Sequence, residues 1–479
     1  MGKIPQPEFD TFAINVILVS FYHPPSLLQN AKPSSTLLAM FKTFQEVVSF
    51  MEQHTNLERS ATDHYTTRTY RLDRMKALLD HFGYPERSFK SLHVAGSKGK
   101  GSTSSYLAAG LAAIGYRTGL YLSPHLTDYR ERWIVDGRFA SDPDLVETGN
   151  QMEAGLRDFH FRDEWGESRP TTFELYTLFA YLLYKHLGCQ YAVLETGLGG
   201  RLDATNTVDP EAAILCPIEL EHTRILGDTI EKIAIEKSKI IMPHRPVFVG
   251  LEKPEAVQVF RGEAKAQEST LTSLADELDS LESRTTFQGE VVDIAWKNGT
   301  RDHLVLSMIG TVQAQNAALA LLTLRHLGLY DAGSTIPAFE RNHLPGRFEK
   351  VSEKPAIYID GAHTVNSLQG LLETYDALYP DEGGRVAIYG ALLDKDHRHM
   401  CGLMARSFDH IIVSTPGTYK KSDIQAIWQI FRETAPDKDI RLVPDNAEAL
   451  SEAKALAGET GSILVAGSFY LGGAIKSLL

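Results

Sequence analysis

Apolar residues fall into two alternating patterns along this chain. Short, nearly continuous apolar runs at residues 92–95, 117–122, 191–195 and 212–217 read as strands buried on both faces. Between them, segments such as 104–114 and 313–327 carry apolar residues at helical spacing, and Gly115 closes the first of these helices. From Phe41 onward the alternation predicts an α/β fold with a mainly parallel sheet. The charged stretch from about Lys253 to Arg284 reads as a solvated peripheral segment. A break rich in Gly, Ser and Pro follows at Asp331-Ala332-Gly333-Ser334 and His343-Leu344-Pro345-Gly346. Beyond it lies a second α/β series, with strands expected at 356–360, 386–392, 410–414, 441–444 and 462–466. The expected organisation is an extension at 1–40, a first domain at 41–335 and a smaller one at 336–479. Residues 1–40 stand either as an ordered extension or as sequence ahead of the true start.

Composition narrows the function class. With 43% hydrophobic and 23% charged residues, the 479-residue chain matches soluble globular proteins and excludes disordered or fibrous classes. Lys+Arg 48 against Asp+Glu 61 gives a net charge of −13, which argues against a nucleic-acid or anionic-membrane surface. An anionic ligand would need a local cluster of amides and basic side chains to overcome that field. Cys189, Cys216 and Cys401 are too few and too scattered for a disulfide framework. The apolar stretch 12–21 is too short to span a membrane and makes a poor signal peptide, so a cytoplasmic protein is expected.

The strongest local signal is Gly96-Ser97-Lys98-Gly99-Lys100-Gly101-Ser102-Thr103, between a strand and a helix. Small residues let backbone N–H groups face an anion, the helix N-terminus adds positive charge, and Lys100 adds a full one. The spacing departs from the standard P-loop, because two residues, not four, separate Gly96 from Gly99. Ser123-Pro124-His125 with Glu131-Arg132, Glu195-Thr196-Gly197, and Glu221-His222-Thr223 all follow strands, where ligands of open α/β sheets collect. Ser123, Glu195 and His222 suit the coordination sphere of a phosphate-bound divalent cation. In the helix starting near Asp228, residues Ile230, Ile233, Ala234 and Lys237 share a face. A desolvated Lys237 loses its proton more readily, and a neutral amine reacts with carbon dioxide to give a carbamate.

These motifs, in order, resemble the dihydrofolate synthase/folylpolyglutamate synthase family of the Mur ligase superfamily. Further matches are Ile225-Leu226-Gly227-Asp228-Thr229, Pro345-Gly346-Arg347, Asp360-Gly361-Ala362-His363, Gly390-Ala391-Leu392-Leu393-Asp394-Lys395-Asp396 and Gly467-Ser468-Phe469-Tyr470-Leu471. The resemblance implies a P-loop-type ATPase domain plus a smaller Rossmann-like C-terminal α/β domain, with the site between them. It implies ATP bound by Gly96 through Thr103 with Asn316, Arg347, Asp360 and His363, and magnesium held by Ser123, Glu195 and His222. Lys237 would be carbamylated, and Phe173 (in Thr171-Thr172-Phe173-Glu174) and Asp203 would line a pterin site. Lys100, Lys237 and His363 are the expected catalytic groups, His363 or a nearby carboxylate serving as base for the incoming amine. Several positions depart from the family pattern: Ser97-Lys98, Glu221, Val312, Leu344 and Thr364-Val365. None removes an expected phosphate or metal ligand.

The implied reaction joins L-glutamate to dihydropteroate, a reduced folate, or both, through an acyl phosphate with release of ADP. The stretch from Gly200 to Asn206 looks more like the bifunctional enzymes and tilts the expectation towards dihydropteroate. A monomer acting on small molecules is expected, with no nucleic-acid or membrane partner. The rivals are another amino-acid ligase of the superfamily and a nucleotide-binding protein without catalysis.

Overall fold

A computed structural model describes residues 41–56, 71–165, 169–380, 384–417 and 421–479, so the expected extension at 1–40 lies outside the described residues. The first sheet has eight strands. Its parallel part runs Thr118–Tyr121, Tyr191–Glu195, Lys90–Ala95, Ala212–Leu215, Val247–Val249 and Leu271–Ser273. The antiparallel strands Trp133–Val135 and Arg138–Phe139 extend the Thr118 edge. Successive residues point to opposite faces. Thus Tyr191 and Val193 join the cluster under the helices Lys100–Ala113 and Thr311–His326, while Ala192 and Leu194 pack under Thr172–His186. Both faces are covered, which explains why these strands read as unbroken apolar runs.

The second sheet has six strands. Ala356–Ile359, Ser462–Ala466, Arg385–Tyr389, His410–Val413 and Asp439–Leu442 lie parallel in that spatial order, and Glu349–Glu353 pairs antiparallel at one edge. The architecture is thus the α/β pair expected, a larger parallel-rich sheet and a smaller one. No described helix is long and apolar enough to cross a membrane.

Two expectations need correction. The stretch 253–284 is not merely solvated: the helix Pro254–Ala266 buries Ala256, Phe260 and Ala264, one residue per turn, beneath its charged face. Its far end supplies Leu271–Ser273 to the first sheet and opens a three-stranded antiparallel sheet of Leu278–Thr286, Gly289–Trp296 and Arg301–Leu306. That sheet escaped the pattern because its outer strand sets only Leu278 and Leu281 on the core, and the register shift between them hides the alternation. Likewise, the Gly/Ser-rich break at 331–334 begins a helix, Ala332–Glu340, capped by the Asp331 side chain accepting from Ser334 N. Its Phe339 packs on Tyr106 of the Lys100–Ala113 helix at 5.0 Å between ring centroids.

Candidate functional site

The loop after Lys90–Ala95 turns on Gly99, which adopts a left-handed φ of 78° before the Lys100–Ala113 helix. Ser97 N and Lys98 N both donate to Pro217 O, at 2.8 and 3.1 Å, so they fasten the loop to the neighbouring strand's end. The anion-facing amides are therefore those of the helix N-terminus from Gly99 onward, with Lys100 at its first position. Asn316, from the Thr311–His326 helix, closes on Gly99 so tightly that an added Cβ would lie 2.2 Å from its Oδ1. It also accepts a weak bond from Thr103 Oγ1 at 3.4 Å and donates to Gln313 Oε1 at 3.2 Å.

Glu195, at the end of its strand, is buried, and its Oε2 accepts from Ser123 N at 3.1 Å. Two expected cation ligands thereby meet. Burial raises the Glu195 carboxyl against the opposing pull of Lys100 and Arg347. His222 holds a left-handed φ of 48°. Burial lowers its imidazole to about 4 despite Glu221, leaving a neutral ring with a lone pair to offer. Among the described residues no three His, Cys, Asp or Glu side chains gather as a metal cage. A hydroxyl, one carboxylate and one imidazole nonetheless fit magnesium, which takes few protein ligands and completes its shell with phosphate and water.

Lys237 is only 2% exposed, at the end of the Ile230–Ser238 helix whose Ile233 and Ala234 are buried beside it. Its Nζ donates to Gly96 O at 2.6 Å and to Glu221 Oε1 at 3.3 Å. Burial lowers this amine to about 8, with Glu221 opposing the shift. Glu221 also faces Lys98 Nζ at 3.9 Å. Although burial works against it, Lys237, Lys100 and Lys98 together hold its carboxyl well below the usual range.

The second sheet sends its own groups to the same place. An added Cβ on Gly101 would lie 3.5 Å from Arg347 Nη2 and 3.6 Å from Glu195 Oε2, so Arg347 reaches the phosphate loop. Asp360 accepts from Phe348 N and Ala362 N, both at 2.7 Å, and organises the turn carrying His363. The His363 Nδ1 lies 2.7 Å from Gly361 O. A carbonyl only accepts, so Nδ1 carries the proton and Nε2 is the bare nitrogen. Burial, reinforced by Lys98 and Lys395, lowers this imidazole well below its ordinary value, which weakens it as a base.

Phe173 and Asp203 meet across Gly197. A Cβ there would lie 2.4 Å from Phe173 Cζ, and Gly197 N and Leu198 N each donate to Asp203 Oδ2 at 2.9 Å. Thr205 donates to the other oxygen through N at 3.0 Å and Oγ1 at 2.5 Å. Asp203 thus shapes the loop with both oxygens already engaged. Behind it His93 Nε2 lies 2.8 Å from Thr205 Oγ1, in a wholly buried position. The sequence reading missed Lys395, whose charge acts on Lys98, His222 and His363 from the second sheet. The Asp394-Lys395-Asp396 motif was the signal for it.

The Mur ligase middle domain family matches residues 94–324, and the Mur ligase, glutamate ligase domain family matches 346–469. Over 335 residues the chain is 35% identical to the dihydrofolate synthase/folylpolyglutamate synthase of Bacillus subtilis, covering 69% of this chain and 77% of that protein. Mycobacterium tuberculosis folylpolyglutamate synthase complexed with ADP matches with a TM-score of 0.80 at 27% identity, over 91% of this chain and 98% of that one. Escherichia coli FolC in complex with DHPP and ADP matches with a TM-score of 0.76 at 27% identity, over 92% and 98%. A phosphate-type loop faced by Arg347 from a second sheet and these likenesses agree, and the chain belongs to the dihydrofolate synthase/folylpolyglutamate synthase family of ligases.

Proposed function

We propose that this protein uses ATP to join L-glutamate to dihydropteroate, to a reduced folate, or to both, releasing ADP and phosphate. The observation that carries the reading is the approach of Arg347, from the second sheet, to the Gly101 and Glu195 side of the phosphate loop. An acceptor carboxylate and a triphosphate repel one another, and this arrangement concentrates Lys100, Arg347 and the helix amides where they meet.

The acceptor's carboxylate oxygen attacks the γ-phosphorus as the bond to the β-phosphate oxygen breaks, giving an acyl phosphate and ADP. The glutamate amine then attacks the acyl carbon, loses a proton, and phosphate departs as the amide forms. Ser123, Glu195 and His222 would hold magnesium, which when bound neutralises charge on the phosphates. Phe173 and the Asp203-shaped loop would present the pterin, and Asn316 would secure the nucleotide side. The low basicity of His363 suits it to accept a hydrogen bond at Nε2, and the base for the amine is His363 or a nearby carboxylate.

Lys237 we read as carbamylated in the working enzyme. Its amine, lowered to about 8, is neutral often enough near neutral pH to react with carbon dioxide, and the product keeps one N–H for Gly96 O. We place the junction of the two domains in the segment after the Ala332–Glu340 helix, and read the protein as a monomer of the cytoplasm.

Phosphate release by the purified protein tests the reading. It is expected only when ATP, L-glutamate and a pterin acceptor are present together, and offering dihydropteroate and reduced folates in turn identifies the acceptor. Release with a different amino acid or acid would favour another ligase of the superfamily. ATP binding without any release would favour a non-catalytic protein.

A further inference from the structure

Glu131 was singled out by its place after the Ser123-Pro124-His125 turn, yet it faces neither anion nor cation. Its buried carboxylate accepts four hydrogen bonds from its own loop: Leu126 N at 2.6 Å, Thr127 N at 3.1 Å, Thr127 Oγ1 at 2.9 Å and Asp128 N at 3.0 Å. Such a set fixes the backbone of residues 126–128. What it presents is Leu126, an apolar side chain only 8% exposed, although it stands on a loop of the first sheet.

Leu126 is covered by the second sheet's residues. An added Cβ on Gly346 would lie 3.2 Å from Leu126 Cδ1, and one on Gly472 would lie 3.5 Å from the same atom. At Gly473 it would lie 2.2 Å from Leu126 O, a distance no side chain tolerates. This socket is continuous with the groups that reach the phosphate loop. Arg347 follows Gly346 and lays its guanidinium 4.5 Å over the Phe469 ring, at the start of the helix that carries Gly472 and Gly473. Gly361 N donates to Gly346 O at 3.0 Å, and an added Cβ on Gly361 would lie 2.3 Å from Cε2 of that same ring. Glu349 ties the far end, accepting from Gly346 N at 3.0 Å and from Lys476 Nζ at 2.6 Å.

We propose that Leu126, held by Glu131 and seated among Gly346, Gly472 and Gly473, is the positioning contact that registers the second sheet over the phosphate loop. The consequence for turnover rests on the ligase reading above, because only then must Arg347 and His363 meet a triphosphate. A small displacement at the socket shifts Arg347, and misplacing a charge-stabilising group by about 1 Å costs on the order of 10²-fold in rate. Leu126 itself touches no reacting atom in this scheme.

The test measures position and rate separately. The three native cysteines are buried, so spin labels at Glu255→Cys and Ala455→Cys, both exposed, report the distance between the two parts of the full chain. Leu126→Ala is expected to broaden that distance distribution, and Gly473→Ala to displace it. Both should lower kcat about 10- to 100-fold while changing nucleotide affinity less than about 3-fold. Leu126→Met, similar in volume, should restore a narrow distribution and kcat to within about 3-fold of the parent. Distributions that superimpose on the parent in both Leu126→Ala and Gly473→Ala overturn the proposal whatever the turnover does. Loss of kcat without a change in distance overturns it as well. A parent that never turns over would defeat the ligase reading, while the distance measurement would still decide the socket.

Discussion

The crevice of the first sheet and the facing edge of the second are built on opposite plans. In the first, charged groups lie against one another around the phosphate loop: the buried Lys237 and the partly exposed Lys98 both face Glu221, and Lys100 acts on both Glu221 and the buried Glu195. In the second, the core is apolar and tyrosine-rich, and Asp360 and His363 are tied to their own backbone. The first plan stores electrostatic work in a fixed place, ready for an anion. The second delivers a few preset groups whose value depends on where the whole sheet sits. One side is tuned by charge and the other by register.

Experiments that break this contrast begin with the first sheet. Lys100→Ala removes the full charge at the helix N-terminus, and turnover should fall on the order of 10³-fold while the circular dichroism and melting temperature stay near the parent's. Near-parental turnover would show that the loop's charge is not used. Lys237→Ala should fall on the order of 10²-fold, and a small carboxylic acid added to the assay should restore part of that rate by standing in for a carbamate. Absence of any rescue, or full activity in the variant, would return Lys237 to the role of a structural amine bonded to Gly96 O. Glu195→Gln keeps the shape and the contact to Ser123 N but drops the charge, and the magnesium needed for half-maximal rate should rise about 10-fold. A magnesium titration that superimposes on the parent's would remove Glu195 from the ligand set.

The smallest effect sharpens the second side. Burial alone would raise the Glu349 carboxyl, yet hydrogen bonds from His343, Lys476 and Gly346 N hold it at about 2 in place of an ordinary 4.5. A carboxyl lowered on folding contributes stability that is present above pH 4.5 and is lost as pH falls towards 2. The shift corresponds to about 3 kcal/mol at most. Glu349→Gln should therefore flatten the decline of melting temperature between pH 5 and pH 2.5 relative to the parent. Parallel curves would mean that the ion pair with Lys476 adds nothing measurable there.

Much of this was written in the order of residues. Continuous apolar runs specify strands because a sheet covered on both faces buries every side chain, and Tyr191–Glu195 and Ser462–Ala466 match that pattern to the residue. The glycine-rich turn, the lysines and the carboxylate at a strand's end declare anion chemistry because few other arrangements use those residues at those spacings. The sheet at 278–306 was not legible, although its strands pair with their chain neighbours, because its outer strand carries only Leu278 and Leu281 among charged and hydroxyl residues and a register shift between them breaks the period of two. Nor could the sequence tell which loop amides are free, for Ser97 N and Lys98 N are claimed by Pro217 O more than a hundred residues away. It named Asp203 but not that both its oxygens are engaged by Gly197, Leu198 and Thr205. Local periodicity and composition determine which elements form, because helices and strands are decided within a dozen residues. Which groups face one another, and whether Leu126 meets a wall of glycines, is decided only when two sheets close on each other, because contacts between distant segments leave no period in the chain.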